Sequence, residues 1–106
     1  MSATVSTALE RELKNLIKSG RYYLGYKKSL KALARGEARL IIVASGAPPA
    51  IREKALYYAK LSGTPVMVYE GRSVDLGGTI GKPFPVSIIA VVDPGTSRII
   101  ELATRG

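Results

Sequence analysis

Two apolar runs set the terms for this chain: Leu40-Ile41-Ile42-Val43-Ala44, and Val86 to Val92 with Ser87 as its single polar member. A strand with one face in water alternates apolar and polar residues. These two do not alternate, so each has to be covered on both faces. Cover on both faces calls for helices above and below a sheet, and the segments between the runs have helical spacing.

Leu9, Leu13, Leu16 and Ile17 recur at that spacing before Gly20, giving a first helix over 7–19, with Thr7 and Glu10 read as a capping box. Arg21-Tyr22-Tyr23-Leu24-Gly25 reads as a strand. Lys27 to Arg35 reads as a second helix, with Leu30, Leu33 and Ala34 on its apolar side. A third helix follows the loop 45–49, takes its prolines in the first turn, and runs to Ser62 with Ile51, Ala55, Tyr58 and Ala59 inward. Val66 to Tyr69 is a strand, and Ser73 caps a short helix reaching Ile80. A stiff loop, 81–85, leads into the last strand, 86–92; Arg98 to Leu102 fits a strand or a short helix. The pattern predicts a three-layer α/β/α sandwich, one domain over residues 1–106. Its four-stranded sheet is mixed if the last strand runs antiparallel.

Composition removes much chemistry. The 106 residues include no cysteine, histidine or tryptophan, which excludes disulfides, thiolate and imidazole metal sites, and Ser-His or Cys-His nucleophiles. The acids Glu53, Glu70, Asp75 and Asp93 form no recognisable pair, so neither an enzyme nor a bound cofactor or metal is expected. Leu76 to Pro83 glances at a nucleotide-binding P-loop, the alternative reading being a small nucleotide- or phosphate-ester-binding enzyme using Gly77–Lys82. Leu76 stands where the first glycine belongs and Pro83 where the magnesium hydroxyl belongs. No apolar run is of membrane-spanning length, and Met1-Ser2-Ala3-Thr4 lacks a signal-peptide layout, so a cytoplasmic protein is expected.

Charge is more informative. Sixteen Lys and Arg against eight acids give +8, and seven of the cations (Lys14, Lys18, Arg21, Lys27, Lys28, Lys31, Arg35) fall between Leu13 and Gly36, which holds no acid. That fits a polyanion, nucleic acid first. Lys27, Lys31 and Arg35 share a helix face, and Lys27 and Lys28 stand at a helix N-terminus, where cations oppose the dipole unless an anion is bound. Binding to an anionic membrane through the first two helices is a competing reading, but those helices need their apolar sides for the core. Gly25, Ser45-Gly46 and, for an antiparallel last strand, Lys82–Pro85 reach one sheet edge, where ligands of open α/β sheets bind. Phe84 is the only phenylalanine; there it suits stacking on an unpaired base or folding back over the sheet edge.

From Leu9 onward the chain resembles the "thirty-e" family of archaeal and eukaryotic large-subunit ribosomal proteins, in the superfamily of ribosomal protein "seven-Ae". The resemblance is carried by Leu24-Gly25-Tyr26-Lys27, Leu40 to Ala44, Tyr57-Tyr58-Ala59-Lys60-Leu61-Ser62, Glu70-Gly71, Leu76-Gly77, Ile80-Gly81-Lys82-Pro83 and Val92-Asp93-Pro94-Gly95, in order and spacing. It implies a structural constituent of the large subunit, with ribosomal RNA and neighbouring ribosomal proteins as partners and a monomer when free. It implies binding at a kink-turn, an internal loop with sheared G·A pairs and an extruded base. The site residues so implied are Gly25, Tyr26, Lys27, Lys28 and Lys31 around the second helix, Ser45 and Gly46 after the second strand, and Phe84 and Val86 against the extruded base. Two departures stand out. Gly46 replaces an Asn common in the family, leaving backbone groups of Ser45 and Gly46 as the expected contacts. Lys27-Lys28 replaces the Asn-Glu of seven-Ae relatives, which implies weaker kink-turn selectivity.

Overall fold

A computed structural model describes residues 2–105, with side chains over 8–103. The chain runs α1(Ser2–Ser19), β1(Arg21–Leu24), α2(Tyr26–Ala34), β2(Leu40–Ala44), α3(Pro49–Ser62), β3(Val66–Tyr69), α4(Ser73–Thr79), β4(Ile88–Asp93) and α5(Ile99–Arg105). The four strands form one sheet in the order β1-β4-β2-β3, with β4 antiparallel to both its neighbours and β2 parallel to β3. The sheet is therefore mixed. Helices α2 and α3 pack together, while α1 packs with α4 and α5, so the sheet lies between two helical layers.

The two apolar runs are the centre of the molecule. All five β2 residues are buried, as are Ile88, Ile89, Ala90 and Val91 of β4. Leu13 and Leu16 of α1 are completely inside, which uses up the apolar face that a membrane-binding helix would need.

Several expectations are corrected. Helix α1 begins at Ser2, so Thr7 lies within it and is not its cap; no glycine or proline interrupts 2–7, and the Thr7 side chain lies outside those described. In α2 Leu33 is buried and Leu30 packs half-buried against the core, as expected, with Ser29 and Ala32 also inside, whereas Ala34, at the helix's last residue, is exposed. On α3, Tyr58 is exposed, while Ala55 and Ala59 are buried. Arg72, not Ser73, caps α4: the Asp75 carboxylate accepts the Arg72 backbone N–H at 3.0 Å. Strand β4 starts at Ile88 because the Val86 N–H is taken by the Ser73 carbonyl at 2.9 Å instead of a neighbouring strand.

The last segment is a helix. The Ser97 hydroxyl accepts the Ile99 N–H at 3.2 Å and donates to the Glu12 carbonyl at 2.7 Å, while the Glu12 carboxylate accepts the Arg98 N–H at 2.7 Å. Those bonds start α5 beside α1, and Ile99 is fully buried there.

Candidate nucleic-acid interface

Because β1, β2 and β3 all run against β4, their carboxyl ends share an edge with its start: Leu24 is opposite Ile89, Val43 opposite Ile88 and Ala44 opposite Tyr69. β1 and β2 are parallel, as expected, yet they are not neighbours; β4 lies between them. That insertion is what joins the loops. The Gly25 N–H donates to the Ile88 carbonyl at 3.0 Å, and the Ala44 N–H donates to the Ser87 carbonyl at 2.9 Å. Both segments are thus tied to the stretch that directly follows Phe84.

At the first loop, Gly25 is the N-cap of α2 with φ 99°, a left-handed value that glycine adopts without the penalty of a Cβ. It provides no capping side chain, and the first turn contains no acid. The N–H groups of Tyr26, Lys27 and Lys28 head the helix without intrahelical acceptors. Lys27 and Lys28 are exposed and Tyr26 is half-buried. Lys31 and Arg35 continue along the helix and, with Lys28, line a shallow hollow that Tyr23 of edge strand β1, Ala32 and Glu37 complete. The cationic row extends away from the loop edge instead of ending at it.

The second loop is turned inward. The Ser45 N–H donates to the Tyr69 carbonyl at 2.8 Å, the Gly46 N–H to the Gly71 carbonyl at 2.9 Å, and the Ser45 hydroxyl accepts the Gly71 N–H at 3.0 Å. Both N–H groups are therefore occupied within the protein, which leaves the carbonyls as the backbone groups of Ser45 and Gly46 open to a partner. A Cβ on Gly46 would stand 3.0 Å from the Arg72 Cα and 3.2 Å from the Gly71 carbonyl oxygen, so an Asn at this position would require the 71–72 segment to move.

The third loop presents Phe84, 48% exposed, between Pro83 and Pro85. Val86 is only 2% exposed and lies beneath the loop as support, not as a surface. The loop is fastened to α4 by the Val86 bond to Ser73 and by the Ser73 and Ser87 hydroxyls, 2.7 Å apart.

Sequence reasoning missed a fourth segment at this edge, Glu70 to Arg72, which follows β3. Arg72 is exposed and its guanidinium is held on Asp75 at 3.3 Å. The bonds from Arg72 hold the Asp75 carboxyl below its ordinary value. The parallel β2–α3–β3 unit was the available signal, since it carries the end of β3 to the edge reached by β2. The nucleotide-loop alternative loses its geometry: Gly77 and Gly78 lie inside α4, and the N–H groups of Gly81 and Lys82 point back to Gly78 and Gly77 at 3.0 and 2.9 Å, leaving no cradle for a phosphate. Among the described residues no cluster of three or more acids is placed to hold a metal ion, and no helix is long and apolar enough to cross a membrane.

The comparisons with known proteins agree with this geometry. The family model described as Ribosomal protein L7Ae/L30e/S12e/Gadd45 matches residues 7–101. The large ribosomal subunit protein eL30 of Aeropyrum pernix is 48% identical over 91% of this chain and 96% of its own length. That of Sulfurisphaera tokodaii is 40% identical over 94% of each. The eL30B protein of Schizosaccharomyces pombe is 48% identical over 79% of this chain and 72% of its own. A solved structure of a Bacillus halodurans protein of unknown function superposes with a TM-score of 0.78 at 27% identity, covering 95% of this chain and 99% of that one. With its sheet order, its loop edge and these relatives in view, the chain belongs to the L7Ae/L30e/S12e/Gadd45 family of ribosomal proteins, among its eL30 members.

Proposed function

We propose that this protein holds ribosomal RNA at a kink-turn, through the sheet edge formed by Gly25–Lys28 and Phe84. In its coarser form the role is that of a structural, non-enzymatic constituent of the large ribosomal subunit in the cytoplasm, with ribosomal RNA and neighbouring ribosomal proteins as partners. The free protein is a monomer in this reading. The observation that carries the finer reading is the meeting of two chemically different elements at one segment, since the Gly25 N–H is bonded to the Ile88 carbonyl and the Phe84 loop leads into Ser87–Ile88. One is a helix start with free N–H groups and two lysines; the other is a proline-stiffened loop with a half-exposed aromatic ring. The helix start suits a phosphate and the ring suits an extruded base. Gly46, Ser45 and Val86 act as supports that set the spacing of the two.

The test is a salt-series titration of a kink-turn RNA against the same RNA with its G·A pairs replaced by Watson–Crick pairs. Preference for the kinked form is expected. Equal affinity for both would overturn the shape-reading site and leave only a basic RNA-binding surface. Sedimentation of the free protein checks the monomer.

A further inference from the structure

A groove of about 680 Å³ runs between α1 and the end of α4, outside the site described above. Arg11, Lys14 and Lys18 form one wall at i, i+3 and i+7, all exposed, and Gly78, Thr79, Ile80 and Gly81 form the other. Glu10 is the acid that lines it, so the cations outnumber acids three to one.

The glycines separate into those the fold requires and one it does not. A Cβ on Gly77 would collide with the Phe84 carbonyl, and Gly81 has φ 78°. Gly78 has no positive φ, and a Cβ there would meet nothing within 4 Å. Glycine inside a helix is the less stable choice. At this position the glycine leaves a gap in a wall that otherwise carries Thr79 and Ile80, opposite a row of lysines, where a phosphate can lie close to backbone. Gly81 at the groove's end is followed in sequence by Lys82 and Pro83 and then by Phe84, so the chain itself joins the groove to the loop edge.

We propose that this groove binds the phosphodiester backbone of a second RNA segment, the strand that continues past the Phe84 loop. The inference rests on the loop-edge reading for its point of entry, and charge together with the open Gly78 wall specifies the ligand as a backbone, not a base.

The experiment uses the full chain, a minimal kink-turn RNA, and the same RNA with each arm lengthened in turn by one helical turn. For the wild type, one lengthened arm should steepen the salt dependence by about two units, one for each of Lys14 and Lys18. Lys14→Gln with Lys18→Gln should remove that gain and leave minimal-RNA binding within twofold. Gly78→Leu, which fills the groove without changing charge, should lower affinity for the lengthened RNA at least threefold without lowering the melting temperature. If no arm adds to wild-type binding, or if the variants weaken both RNAs equally, the groove is not an RNA site. Saturable binding of an oligoglutamate peptide, abolished by the double lysine variant and without any arm effect, would assign the groove to an acidic protein segment and overturn the RNA assignment. Loss of kink preference in the wild type would strike the loop-edge reading alone, and the slope comparison between the arms would still decide the groove.

Discussion

Gly77 lies directly beneath the carbonyl oxygen of Phe84, so close that a Cβ on the glycine would collide with it. A buried helix position thereby sets the height of the exposed ring. Gly77→Ala should destabilise the fold by about 2 kcal/mol, the usual scale of overpacking, and should also displace the 84–86 loop. Denaturation and RNA titration of the same variant read both effects. Unchanged stability and unchanged affinity together would show that the loop is not seated on α4.

The ring and the helix start make separable contributions. Phe84→Ala should weaken kink-turn binding by about 1–3 kcal/mol with little change in salt slope, since stacking releases no counterions. Its cost to stability should be small because the ring is 48% exposed. Lys27→Ala should do the reverse, flattening the slope by about one unit. If both variants changed the slope alike, the division of roles would be wrong.

Gly78 should be improvable. Its ordinary backbone conformation and the open space around it predict that Gly78→Ala raises stability by about 1 kcal/mol, read from the denaturant midpoint. A drop in stability would mean that α4 needs the glycine for a reason other than the groove.

Acid should loosen the α1–α5 clasp. The Arg98 backbone N–H holds the Glu12 carboxyl below its ordinary 4.5 against the opposing effect of burial, with lesser help from hydrogen bonds to Asn15 and Ser97 and from the Arg11 charge. A depressed folded value means that this contribution is fully present above about pH 4.5 and is lost as pH falls through the lowered value. Thermal melts across the acid range should show Glu12→Gln with a shallower decline than the wild type. Coincident acid limbs would remove Glu12 from the account.

Much of this was legible beforehand because the informative residues act locally. Leu40 to Ala44 and Ile88 to Val91 announced buried strands by lacking alternation. What was not legible depends on tertiary partners. The inward bonds of Ser45 and Gly46 go to a segment about 25 residues away along the chain, and no local pattern encodes them. Ser97 starts α5 through Glu12, an 85-residue separation, so a strand was an equal reading of the local sequence. Arg72 was passed over because a lone arginine between two loops has no signature until β3 delivers it to the edge.

The placement of β4 has a consequence for how the molecule comes into being. The last strand in sequence is inserted between the first and second, so β1 has no partner until residues 88–93 arrive. Pairing Leu24 with Ile89 closes a loop of some 65 residues, a slow, non-local step compared with the local β2–α3–β3 unit. A nascent chain therefore carries its lysines well before it carries the assembled loop edge proposed to discriminate among RNAs. On the proposed reading, arrival of the final strand turns a sticky polycation into a selective one.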